Sequence, residues 1–462
     1  MNTQTVTLNG NNTTFSFLPS GDIYEIRHKD IMVNQLIGNL LDGSANQIYL
    51  RVFKKGTILS TPLLGIQSDS KLAVGERALI WSGTFEGVSY EVKFIVTSHD
   101  VWFWEVSLQG NQTVDLLYGQ DIGIAAKGAV QSNEAYVSQY IDHYIDTQHG
   151  YTICSRQNQP QDGKFPYLQQ GCLQKTIGFS TDGYQFFGMS YKETNIPEAL
   201  QRESLSTEVY QYEMAYAALQ TDKRNVQEKQ SVVFYGSILE NHPTAVEKPF
   251  FTTQQIEEIW VEANKLEQVT KPVNKMTRIV NQVIKTESLT PEEIDELFGI
   301  QLEKEIVDQK LLSFFTDNQH HVVLKEKEVQ MERPHGHILL SGTDLVVDKP
   351  VMATTVYMYG IFNSQIVLGN TSMNKMMSNN RNSLNIMKKS GQRIYMKINN
   401  QWQLLAMPSA FEMGFNVAKW YYKLADDLII VTNYTSVEDH EIKLSIESKR
   451  GKNMILSLVI IF

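Results

Sequence analysis

Two arginines set among side-chain amides carry the most specific polar chemistry in this sequence. Arg156 stands beside Gln157, Asn158 and Gln159, and Arg381 stands among Asn379, Asn380 and Asn382. A guanidinium fork next to amides that both donate and accept is suited to sugar hydroxyls or to a phosphate. Stacking surfaces are at hand in Trp81, Trp102, Trp104, Tyr167 and Trp402, although an aromatic ring is more often core than platform. The candidate substrate-binding residues are therefore Arg156, Gln157, Asn158, Tyr167, Gln169, Arg381 and Asn382.

Breaking a glycosidic bond needs two carboxylates placed on either side of it, one of them able to hold a proton. The chain has 51 Asp and Glu, and no signature singles out any of them. Asp121, Asp142, Asp162, Asp182 and Glu412 lie near polar loops, where turn and surface roles are the commoner ones. His335-Gly336-His337 aims two imidazoles one way if extended, and His320-His321 is a second pair, but two histidines without a third ligand make a weak metal site. There is no Gly-x-Ser-x-Gly elbow, no Walker sequence and no dinucleotide fingerprint. No catalytic and no metal-ligating residue is assigned.

Composition narrows the classes further. A formal charge of −10 with no Lys/Arg cluster argues against a nucleic-acid surface, which needs a concentrated positive potential. Two cysteines without a C-x-x-C pair give neither a zinc frame nor a disulfide scaffold, and suit a reducing compartment. Residues 1–20 lack the basic and then apolar regions of a secretory signal, and no run reaches the length of a membrane span. A cytoplasmic location and no membrane partner are expected.

The elements that must position these residues are mostly strands. From Thr5 to Phe251 apolar and polar residues alternate between Gly, Asn and Asp turns, as in an antiparallel sandwich. Tyr90, Val92, Phe94 and Val96, then Trp102, Trp104, Val106 and Leu108, predict a hairpin with an aromatic face. Tyr151–Ile153 and Thr176–Phe179 read as strands joined by a polar loop of more than twenty residues, and Thr181-Asp182-Gly183 as a hairpin turn into a strand over Tyr184–Tyr191. At Thr252 the period becomes helical. Thr252-Thr253-Gln254-Gln255 and Thr290-Pro291-Glu292-Glu293 are capping boxes, a further helix is expected through Met276–Ile284, and another over Glu303–Phe315. Alternation returns beyond Asp317, and the chain closes on the apolar run Met454–Phe462.

Several strings carry a resemblance: Gly38-Asn39-Leu40-Leu41-Asp42-Gly43-Ser44, Cys154-Ser155-Arg156-Gln157-Asn158-Gln159, Leu168-Gln169-Gln170-Gly171, Ser180 to Gly188, Pro334-His335-Gly336-His337 and Pro408 to Met413. Together they resemble the amino-terminal half of the 1,2-β-oligoglucan phosphorylases, relatives of cellobiose phosphorylase and cyclic β-1,2-glucan synthase in glycoside hydrolase family 94. The resemblance implies a galactose-mutarotase-like supersandwich, a helical linker, a second sandwich and then an (α/α)6 barrel. That barrel would carry the general-acid aspartate and the site for inorganic phosphate, the co-substrate. No run of paired helices is present, so no catalytic residue carries over and no cofactor is implied.

The expected fold is mainly β. It comprises a supersandwich over residues 1–251, a helical linker over 252–317 and a second β-sandwich over 318–462, without the barrel. The expected role is a carbohydrate-binding or structural region of a β-glucan phosphorylase, a truncated or split product inactive alone. Its partners would be a β-linked glucan and a catalytic barrel in cis or in trans, and Met454–Phe462 would be part of a bare face. The alternative is a free-standing β-glucan-binding module. Mutarotase-like catalysis in the first sandwich would need an acid/base pair that no spacing announces.

Overall fold

A computed structural model describes residues 5–132, 134–212, 214–266, 269–277, 282–341, 351–368, 391–436 and 439–461. It is mainly β, as expected, and divides into two compact units, one of residues 1–188 and 196–278 and the other of residues 189–195 and 279–462.

The described residues of the first unit form three antiparallel sheets. The largest has nine strands, ordered Ile141–Asp146, Thr152–Gln157, Tyr167–Cys172, Gln230–Leu239, Val101–Gly110, Val88–Val96, Ala78–Phe85, Lys71–Gly75 and Thr270–Val273. The aromatic hairpin forms as its alternation predicts, with Trp102 opposite Val96 and Trp104 opposite Phe94. Its inner face meets both other sheets. Phe15 packs 5.1 Å from Trp102, Phe17 packs 5.3 Å from Phe94, and Tyr118 stacks 5.3 Å from Phe234. Buried aromatics of this size dominate a core's energetics, and these tie three sheets into one. The helix Thr253–Asn264 starts at the Thr252 capping box and lays Ile256, Ile259 and Trp260 on the outer face, against Val101, Phe103 and Tyr235.

The second unit packs two sheets of seven strands each among its described residues, with Val323, Phe411, Trp420 and Val431 facing Leu339, Val356, Phe362 and Ile394 across the core. The helix Pro291–Phe298, capped by Thr290 as expected, covers the outer face through Ile294 and Phe298.

Four expectations need correcting, each for a physical reason. Glu303–Phe315 is a hairpin, Gln301–Val307 with Lys310–Thr316, because Asp308 and Gln309 both adopt positive φ (49° and 63°), the two-residue turn that matches strand twist. Its Glu, Lys and Leu content reads as helix only in isolation. Met276–Ile284 gives no helix among the described residues, where Gln282–Val283 instead pairs parallel to Gln401–Leu404. The long polar loop shrinks to residues 158–166, since Tyr167–Cys172 is a strand buried on both faces and so shows no alternation. Residues Gly183–Phe187 form a helix because Asp182 and Gln185 close a capping box.

The apolar run at the end contributes a strand to a sheet, and its Ile455 and Leu458 are exposed, at 60% and 52%. Leu456–Ile461 pairs antiparallel with Gly391–Ile398. Asn379, Asn380, Arg381 and Asn382 lie outside the described residues.

Candidate functional site

Four of the candidate residues, Arg156, Gln157, Tyr167 and Gln169, lie on adjacent strands of the nine-stranded sheet, and Asn158 directly follows the first of them. Arg156 and Tyr167 are cross-strand partners, and Gln169 follows two positions on. Their polar atoms are engaged within the chain. Arg156 donates from Nε to the His242 carbonyl at 2.7 Å and from Nη2 to the Pro243 carbonyl at 3.2 Å, lies over the Phe165 ring at 4.4 Å, and donates from Nη1 to Asn158. Asn158 in turn donates to Asp142. Tyr167 stacks on the His242 ring at 5.0 Å and its hydroxyl accepts from Phe250 N at 3.2 Å. Gln169 accepts from Phe251 N at 3.1 Å and donates to its carbonyl at 2.8 Å. The group clamps residues 242–251, the lead-in to the long helix, onto the sheet. Gln157 donates separately, to the Val137 carbonyl at 3.2 Å. Trp81, Trp102 and Trp104 are fully buried core, so they offer no stacking surface.

Open space lies at either end of the long helix. A cleft of about 770 Å³ at its start is lined by Gln148, His149, Tyr151, Lys175, Thr253 and Glu257 among others. One of about 250 Å³ at its end is lined by Arg77, His99, Ile259 and Glu262 among others. Each contains a single carboxylate, Glu257 or Glu262, whereas glycosidic cleavage uses two. His149, Lys175 and Glu257 escaped sequence reading because they come from two turns and a helix start that only the fold brings together.

The carboxylates of interest have local tasks. Asp182 caps its helix, accepting from Tyr184 N at 2.9 Å, and Asp162 sits at φ 49° in a turn. Asp121 is buried and accepts from Gln35 N and Leu36 N at 2.9 and 2.6 Å, with burial pushing its pKa up to about 6. In the second unit Glu412 is bound by His320 Nδ1 at 2.5 Å, Lys419 Nζ at 3.2 Å and the Tyr421 hydroxyl. Burial pushes its carboxyl up, and these three donors outweigh it, so the net shift is downward.

The histidine pair His335-Gly336-His337 separates. His335 Nδ1 lies 2.5 Å from Glu328 Oε2, and His337 Nε2 donates to the Gly414 carbonyl at 2.7 Å. No group of three or more His, Cys, Asp or Glu able to hold a metal ion occurs among the described residues. Cys154 and Cys172 are free and buried, and burial pushes both thiols up to about 12, which makes them poor nucleophiles.

His143 gives the first unit a pH dependence. Its Nδ1 lies 2.9 Å from Ser155 Oγ, its Nε2 is buried without a partner, and burial holds its pKa down to about 4 against the pull of Asp142. Between about pH 6.5 and 4 the unfolded chain binds a proton that the folded one refuses, so this contribution to stability is lost as pH falls. Buried His28 acts in the same direction and Asp121 in the opposite one. H143Q is expected to shrink the difference between the urea midpoints of this unit at pH 7.5 and 5.0, and an unchanged difference would refute the assignment.

Comparison with known proteins now adds to the geometry. The SOGP N-terminal domain family matches residues 16–236, and the glycoside phosphorylase supersandwich domain family matches residues 298–459. The chain thus carries an SOGP N-terminal domain followed by a glycoside phosphorylase supersandwich domain. A relative described as a 1,2-beta-oligoglucan phosphorylase, from Listeria innocua, is 37% identical over 446 residues, 96% of this chain. The chain spans 40% of that relative's length. Among solved structures, a GalM/aldose epimerase homologue from C. elegans aligns over 52% of this chain and 100% of its own at 9% identity and a TM-score of 0.32. A 4-alpha-glucanotransferase from Thermococcus litoralis aligns over 50% of this chain and 37% of its own at 7% identity and a TM-score of 0.24. Similarities this slight carry no argument. No helix among the described residues is long and apolar enough to cross a membrane.

Proposed function

We propose that this chain is the sandwich region of a β-glucan phosphorylase, that it works in the cytoplasm beside a catalytic barrel supplied in cis or in trans, and that it breaks no glycosidic bond by itself. The observation that carries the reading is the match to the 1,2-beta-oligoglucan phosphorylase, 96% of this chain against 40% of that relative. The single carboxylate in each of the two clefts at the ends of the long helix supports it. The role of Arg156, Asn158, Tyr167 and Gln169 is then indirect, since they hold residues 242–251 in place. Incubation of the purified chain with β-1,2-gluco-oligosaccharides and inorganic phosphate is expected to release no glucose 1-phosphate. Release by the chain alone would overturn the proposal.

A free-standing glucan-binding module is the second reading, favoured by the 770 Å³ cleft, a volume in the ordinary range for small-molecule sites. Calorimetric titration with the same oligosaccharides separates the two. Saturable heat abolished by K175A and E257A together would support binding at the cleft, and absence of heat would remove it.

A further inference from the structure

The sheet of the second unit that carries Trp420 ends, among the described residues, on the strand Gln301–Val307 at one side and on Ile442–Ser448 at the other. The two edges differ. Gln301–Val307 is interrupted, with shifts of register on either side of Glu305 and a positive φ of 46° at Glu303, and such bulges blunt an edge against pairing with another chain. Ile442–Ser448 has no such device. It contains no proline and keeps an unbroken register with Asp427–Thr435, from Ile442 opposite Thr435 to Ser448 opposite Ile429. Leu444 and Ile446 pack against the core, while Lys443, Ser445 and Glu447 are exposed.

The phase of the backbone fixes which groups face outward. Ser436 N donates to the Glu441 carbonyl and Lys449 N to the Leu428 carbonyl, so the odd-numbered residues from 441 to 449 turn their N–H and C=O groups toward the neighbouring strand. Those of Ile442, Leu444 and Ile446 therefore point away from the sheet, as does the Ser448 N–H, whereas the Ser448 carbonyl accepts from Gly451 N at 3.1 Å.

A second copy related by a two-fold axis would pair antiparallel with this edge, and outward-facing residues must then meet outward-facing residues. That requirement places the axis at a residue and excludes any position between two residues. Charge chooses among the remaining registers. Centred on Leu444, Glu441 would oppose Glu447; centred on Ile446, Lys443 would oppose Lys449. Both set like charges together, which destabilises a sheet. Centred on Ser445, Lys443 faces Glu447 and Glu441 faces Lys449, each contact made twice, while Leu444 exchanges backbone bonds with Ile446. Within the chain these four side chains pair with neighbours two positions along, Lys443 with Glu441 at 3.7 Å and Lys449 with Glu447 at 3.1 Å, and all stay about half exposed.

We propose that Ile442–Ser448 is a self-association edge, pairing antiparallel about Ser445 with the same strand of a second copy of this chain. The charged contacts set the register and the outward backbone groups supply the bonds. One strand from each copy makes a small interface, so the dissociation constant is expected to be on the order of 10–100 µM.

Sedimentation equilibrium of the whole chain from about 1 to 500 µM is expected to show monomer giving way to dimer. K443E leaves acid facing acid at both central contacts, and E447K leaves base facing base. Each variant alone is expected to associate about tenfold or more weakly than the wild type. An equimolar mixture of the two is expected to recover wild-type association, because an acidic edge then meets a basic one. Both positions are exposed, so neither change disturbs the core. A wild-type chain that stays monomeric over this range, a dimer indifferent to either reversal, or a mixture that fails to recover association overturns the proposal.

Discussion

Replacing Arg51 with methionine is expected to cost the first unit about 3–5 kcal/mol of unfolding free energy. Arg51 and Asp115 are cross-strand partners, and both side chains are fully enclosed. Arg51 Nε and Nη2 meet the two carboxylate oxygens at 2.8 and 2.5 Å, and Gln220 Nε2 donates to the same group at 3.0 Å. The remaining donors reach the carbonyls of Ala199 at 3.1 Å, Arg202 at 2.5 Å and Glu203 at 3.4 Å. Removal of the guanidinium therefore leaves an enclosed carboxylate without its counter-charge and releases residues 199–203 from the sheet. The double variant R51M/D115L removes both charges and is expected to be more stable than R51M, because isolating a charge costs more than deleting a pair. Urea titration followed by tryptophan fluorescence reads both effects. A loss under about 1 kcal/mol for R51M would place the pair with ordinary exposed bridges and refute the argument.

G65A is expected to cost about 2–5 kcal/mol, while G56A, a glycine of equally unusual backbone, is expected to cost about 1–2 kcal/mol. Both have positive φ, 66° and 84°, so both carry the penalty that a Cβ brings in that region. Nothing lies within 4 Å of a Cβ at Gly56, whereas one at Gly65 would sit 1.9 Å from Asp22 Oδ1. Asp22 cannot give way. Its carboxylate accepts from Ser20 Oγ at 2.6 Å, Ile66 N at 2.7 Å and Ser44 N at 3.2 Å, and Lys275 donates to the Gly65 carbonyl at 2.9 Å. Burial raises the carboxyl's pKa despite these bonds. Equal losses for the two variants, measured by the same titration, would show that the close approach contributes nothing beyond backbone strain.

What can be read directly from this chain is what its signals encode over a few residues. The boxes at Thr252 and Thr290 start helices because cap and reciprocal side chain are three positions apart, and the hairpin through Trp102 and Trp104 follows from strict alternation across a short turn. Two of the errors are local, at the Asp308-Gln309 turn and the Asp182 capping box, and another falls where neighbours distant in sequence decide. Tyr167–Cys172 reads as loop because the long helix and residues 242–251 cover its outer face and erase the alternation, and Glu303–Phe315 reads as helix until its turn geometry is seen.

The same division holds for the sites. Arg156 and its amides stand out by type, but that they bind residues 242–251 depends on a strand pairing some eighty positions away. The cleft carrying His149, Lys175 and Glu257 joins segments that share no local pattern. Composition and spacing thus determined that the chain is built of antiparallel sheets with two capped helices. Tertiary structure alone decided which polar groups are already satisfied, because hydrogen bonding and desolvation depend on distance in space and not on separation along the chain.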